Sequence, residues 1–104
     1  MPTTTTINFV RDFTRFPGGR LQKYGPNSGE EFRERVLRPA LNQYDQVTLD
    51  MNGVIGFPVS FLDEIFGVLA GQLGRETLKK KLKLVLDNKV TLTEIEDIIA
   101  THTS

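Results

Sequence analysis

The chain has 104 residues, 38 % of them hydrophobic, with 13 basic and 13 acidic side chains and no cysteine. That is the length of one domain and too short for two, and the composition suits a modest globular core rather than a disordered chain. Balanced charge gives no overall electrostatic footprint for nucleic acid or an anionic membrane, and the lack of cysteine excludes disulfides, thiolate metal sites and cysteine nucleophiles.

Along the chain, Ile7-Asn8-Phe9-Val10 is short, β-branched and aromatic, and reads as a first strand. The stretch from Asp12 to Pro26 is rich in turn residues. A hairpin turning at Gly18-Gly19 would place Arg20 to Tyr24 in a second strand. Ser28-x-x-Glu31 fits a capping box, and Phe32, Val36, Leu37, Ala40 and Leu41 follow at helical spacing. Pro39 lies inside this pattern, so a kink or an end is expected near Arg38.

Gln46 to Met51 alternates and is rich in strand formers; Asn52-Gly53 closes it, with Asp50 and Asn52 suited to fixing the turn. After the short apolar run Val54 to Phe57, Pro58 suits the first turn of a helix. That helix carries Phe61, Leu62, Ile65, Phe66, Val68, Leu69 and Leu73, a stripe wide enough for the central core helix. Gly67, Ala70 and Gly71 on it allow close approach to the sheet or to a second copy, so a homodimer is one expectation. Leu82 to Leu86 reads as a strand and Asp87-Asn88-Lys89 as a turn. Thr91-x-x-Glu94 is a second candidate capping box, opening a last helix whose apolar face is Leu92, Ile95, Ile98 and Ile99. One α/β domain is expected over residues 1–104, with 1–5 and 102–104 flexible.

No stretch is long and apolar enough to span a bilayer, and Met1 to Thr6 has neither the basic start nor the apolar core of a signal peptide. With no disulfides to form, a cytoplasmic location is expected.

Val47-Thr48-Leu49-Asp50-Met51-Asn52-Gly53-Val54, followed by a small-residue segment and a helix, resembles the STAS domain of anti-sigma factor antagonists and sulfate transporter tails. A closer likeness is to small bacterial STAS-like proteins of unknown function. It is carried by Arg11 to Arg20, Gly25 to Phe32 and Ser60 to Gly67. The resemblance implies a mixed sheet of about four strands with helices packed on one face, and a regulatory role in binding a partner protein. A kinase-like ATPase is the partner class it implies. In anti-sigma factor antagonists the first serine of a Ser-Ser pair is phosphorylated to switch partner binding. Aligned from Asp50 and Gly53, Val59 here takes the place of that serine and Ser60 falls on the second, while Pro58 and Phe61 replace the flanking aspartate and glycine.

The contact surface is therefore expected at Gly56, Phe57, Ser60, Asp63 and Glu64. Ser60 is either a hydroxyl at a helix N-terminus, where a phosphate would meet free N–H groups, or a plain cap in Ser60-x-x-Asp63. Asp63 and Glu64 are either contact acids or first-turn residues that suit the helix dipole. An alternative function is a sensor of a small anionic ligand or nucleotide, carried by Gly18, Gly19, Arg20 and the Ser28 helix start. The lysines at 79, 80, 81 and 83 read as a solvated edge before a strand, without the interleaved aromatics of a nucleic-acid groove. Asp12, Asp50 and Asp87 lack a metal-ligand pattern, and His102, alone in the tail, has neither a nucleophile nor an orienting partner in sequence. No cofactor, no metal, no nucleic acid and no catalysis are expected.

Overall fold

The computed structural model describes residues 3–102. Strand β1 (Thr4–Asn8) sets three β-branched threonines beside Ile7, a composition that favours the pleated conformation. It starts and ends earlier than Ile7 to Val10 because polar caps take over at its end. The Asn8 side chain accepts from the Arg11 amide at 3.0 Å and Asp12 accepts from the Asn8 amide at 2.9 Å, turning Phe9–Asp12 into a short helix, α1.

The expected hairpin does not form. Residues 20–24 contain no strand; Gln22–Tyr24 is a single 3₁₀ turn inside a long connection. The sheet accordingly has three strands among the described residues rather than four, and they are all parallel rather than mixed. Central β2 (Gln46–Asp50) pairs with β1 on one side and with β3 (Leu82–Val85) on the other.

Helix α2 (29–43) begins where the capping box places it, with Ser28 Oγ accepting the Glu31 amide at 3.0 Å. Glu31 reaches back one residue further than expected, to the Asn27 amide at 3.2 Å. Pro39 neither ends nor breaks this helix. The turn before it, Arg33–Leu37, widens to π geometry, with the Arg38 amide bonding the Arg33 carbonyl, and α2 then runs on through Gln43. A wide turn absorbs the missing donor and the bulk of the ring. Helix α3 (59–73) starts with Pro58 at its cap position, and it too holds a π turn, at Asp63–Gly67. A helix not expected from the sequence, α4 (Arg75–Lys81), contains most of the lysine run and leads into β3. Helix α5 (Lys89–His102) is capped by Asn88, which accepts the Val90 and Thr91 amides at 3.0 and 3.2 Å, and not by Thr91.

Ile7, Val47, Leu49 and Leu82 are buried on one face of the sheet, whereas Thr4, Thr6 and Lys83 are exposed or half-buried on the other. The helices therefore cover one face only. Beneath the C-terminal ends of the strands lies a cluster of phenylalanines. Phe9 contacts Phe13, Phe32, Phe57 and Phe61 with ring centroids 4.9 to 5.8 Å apart. Of the ends expected to be flexible, Thr4 and Thr5 lie in β1, and His102 is held by Asp63 at 2.9 Å; residues 1, 2, 103 and 104 lie outside the described residues. Among the described residues no helix is long and apolar enough to cross a membrane.

Candidate functional site

Ligand sites in open parallel sheets gather at the C-terminal ends of the strands, where the connections leave the sheet. Here that end carries the loop 51–58 after β2. Its base is fixed. The Asn52 amide bonds Asp50 Oδ1 at 3.0 Å, and Asn52 Oδ1 accepts the Asp87 amide at 2.8 Å, tying the loop to the one after β3. Phe57 anchors the other end against Phe9 and Phe61, with centroids at 5.2 and 6.0 Å. Phe57, expected as a contact residue, is half-buried in this way and supports the loop from below.

Between these anchors the chain presents apolar side chains to water. Ile55 is 101 % exposed and Val59 63 %, with exposed Gly56 and Pro58 between them and half-buried Ser60 next in line. Ser60 is the second residue of α3. The helix start has no side-chain cap, so the reading of Ser60 as a cap fails. Val59, at the position of the phosphorylated serine in the resembling family, is the more exposed of the two. Ile55 and Val59 are not legible as exposed positions in the sequence because apolar residues default to the core. The available signal is their flanking by Gly56 and Pro58, which keep them off the helix stripe.

Asp63 and Glu64, expected beside Ser60 on this surface, are turned inward to three basic groups. Arg20 Nη1 donates to Asp63 Oδ2 at 2.7 Å and stands 3.5 Å from Glu64 Oε1. Arg33 Nη1 donates to Glu64 Oε2 at 2.5 Å and to the Glu64 carbonyl at 2.7 Å. His102 Nε2 lies 2.9 Å from Asp63 Oδ1. Glu34 continues the network, accepting from Arg33 at 2.7 Å and from Arg38 at 3.0 Å. The hydrogen bond from Arg20 holds the Asp63 carboxyl below its ordinary value of 3.8, against partial burial and with added help from His102. Both π turns, one in each helix, flank the Arg33–Glu64 pair. Arg33 is missing from the residues singled out in the sequence, although it sits four residues before buried Leu37 and so shares the inner face of α2.

The candidate anion pocket is likewise consumed from within. The amides of Gly29 and Glu30, at the start of α2, donate to the carbonyls of Gly19 and Arg20 at 2.9 and 3.0 Å, and Ser28 is fully buried with its Oγ on the Glu31 amide. Gly18 donates to the Asn27 carbonyl at 2.7 Å, and a side chain there would run into the Pro26 carbonyl oxygen. Gly18 thus lets the loop lie close against the helix start, while a Cβ at Gly19 would meet open space, and Arg20 is committed to Asp63. The carboxylates of Asp12 and Asp50 each serve a local cap or turn, and Asp87 donates its amide to Asn52. Among the described residues no group of three His, Asp or Glu side chains is placed to hold a metal ion.

Crossover helices on one face of a small parallel sheet, with the Asp50–Gly53 turn at the end of the central strand, define a small α/β module. The sequence pattern of a family described as a STAS-like domain of unknown function matches residues 28–91, more than half of the chain. The chain belongs to this family. The match spans α2, β2, α3, α4 and β3 and includes the exposed loop. No curated protein and no solved structure matches the chain.

Proposed function

We propose that this chain is a non-catalytic regulatory module that recognises a partner protein through the loop after β2 and the start of α3. The observation that carries this reading is the exposure of Ile55 and Val59 on a loop anchored at both ends. A preformed apolar contact costs little ordering entropy on binding. The acids closest to it are already paired with Arg20 and Arg33, which leaves recognition rather than acid–base chemistry to this surface. Phosphorylation of Ser60 is the proposed gate. It would place a dianion at an uncapped helix start, beside the apolar contact that a partner must bury. The resemblance to anti-sigma factor antagonists supports a kinase-like ATPase as the partner class, and a cytoplasmic setting goes with that reading.

The test is retention of a partner from native cell lysate with ATP present, comparing the unchanged chain with Ile55→Ser/Val59→Ser and with Ser60→Asp. Both changes lie on exposed or half-exposed positions, so folding should be affected by less than about 0.5 kcal/mol. The expected result is an ATPase held by the unchanged chain and lost with either variant. Equal retention by all three would remove the loop from the interface.

A further inference from the structure

Strand β3 is an edge of the sheet. It pairs with β2 and, among the described residues, with no strand on its other side. Beside it runs a groove of about 290 Å³ between α4, β3 and α5, floored by Leu78, Leu82, Leu84, Leu92 and Ile99. Around this groove basic side chains outnumber acidic ones, Arg75 and Lys79 lining it against Glu96. Between residues 75 and 83 the chain carries Arg75, Lys79, Lys80, Lys81 and Lys83 against a single acid, Glu76. Among the described residues none of these five cations is in an ion pair; only Lys81 has a polar partner, the Tyr44 carbonyl at 3.4 Å. Arg75 and Lys79 line the groove, and Lys83 stands on the open face of β3.

We propose that this edge accepts an acidic, extended peptide segment of a partner protein as a fourth strand of the sheet. Strand addition supplies main-chain hydrogen bonds, and alternate side chains of the incoming strand point to opposite faces. Its apolar residues would enter the groove over Leu82 and Leu84, and its acids, on the opposite face, would meet Lys83. A second copy of this chain fits less well. A short edge strand with a central lysine resists pairing with itself, because the two-fold that stacks Lys83 on Lys83 opposes like charges. The same lysine favours an acidic partner. The surface shares no residue with the loop carrying Ile55 and Val59, so it stands apart from the function proposed above.

The test uses the full chain, ¹⁵N-labelled, titrated with an end-blocked peptide of alternating glutamate and valine, and with the same peptide carrying lysine for glutamate. The expected result is that the acidic peptide shifts the amides of Lys83, Leu84 and Val85 and the lysine peptide does not. Lys79→Glu/Lys83→Glu, on exposed side chains outside any ion pair, should keep the fold by circular dichroism and weaken binding by about tenfold or more. Ile55→Ser/Val59→Ser should leave peptide binding unchanged. Unmoved β3 amides, equal shifts from both peptides, or a response to a short DNA duplex and not to the acidic peptide would each overturn the proposal.

Discussion

Arg33 and Glu64 meet where α2 crosses α3, with side chains only 10 and 11 % exposed. Out of water, a carboxylate depends on its partner: breaking a buried pair costs about 3–5 kcal/mol, whereas replacing both members with apolar residues is often neutral. Arg33→Met should therefore lower the unfolding free energy by about that amount, leaving Glu64 with Arg20 alone at 3.5 Å. Adding Glu64→Leu should recover most of the loss, and urea denaturation of the two variants decides it. Asp63 makes a different prediction. Its carboxyl titrates lower in the folded chain than in the unfolded one, so the unfolded state binds more protons as acid is added. The stability due to Arg20 and His102 is complete above the ordinary value of 3.8 and is lost as pH falls through the folded value. Thermal midpoints taken from about pH 5 down to about pH 2 should drop more steeply for the unchanged chain than for Asp63→Asn. Parallel curves would mean that this pair contributes nothing.

At the scale of elements, α2 and α3 come together so closely that Gly29 has no room for a side chain. A Cβ there would lie 2.7 Å from the Phe61 carbonyl oxygen and 3.1 Å from Glu64 Cβ. The obstacle is backbone and cannot swing aside, so Gly29→Ala should destabilise by about 1–3 kcal/mol despite the better helix propensity of alanine, as read by chemical denaturation. At Gly67, between α3 and α5, a Cβ would lie 2.8 Å from His102 Nε2, but that obstacle is the end of a side chain and can swing aside. Of the glycines on α3, Gly67 thus lies against α5 within the chain, while Gly71 faces open space. The paired π turns belong to the same geometry. A wide turn rotates the rest of its helix about the axis, and here each one brackets the ion pair that joins the two helices. The connection 13–27 also ties elements together. It supplies carbonyls to the start of α2 and sends Arg20 across to α3, where a hairpin would have extended the sheet.

For the molecule as a whole, a parallel sheet usually has helices on both faces, and this one has them on one. The polar row Thr6, Thr48 and Lys83 makes the open face compatible with water, and parallel pairing aligns these three across the strands. Three strands among the described residues also leave two edges. The β3 edge combines an apolar-floored groove with cations that, among the described residues, are in no ion pair, and this gives the two proposed surfaces separate places on the fold. One can be altered at Ile55 and Val59 and the other at Lys79 and Lys83, with the core left intact.

Much of the fold is legible in the residues themselves. The alternation in Gln46 to Met51 marks β2, the stripe from Phe61 to Leu73 marks α3, and the Ser28 box marks the start of α2, because each pattern is set by local geometry and by which face must leave water. The family, too, is legible, from short runs around Asp50 to Val54 and Ser60 to Gly67. Long-range partnership is not. Asp63 and Glu64 read as surface acids because a charge with no nearby opposite partner belongs in water, and their arginines lie 43 and 31 residues away. Gly18-Gly19 reads as a turn because glycine pairs usually make one, and only the folded chain shows α2 donating to the carbonyls of that loop. Residue pattern on its own therefore sets the class of domain, its buried stripes and the loop on which recognition is proposed. Folding in three dimensions selects which charges are spent inside and which side chains, Ile55, Val59 and the cations beside β3, stay available to a partner, because ion pairing and exposure depend on neighbours that are remote in the chain.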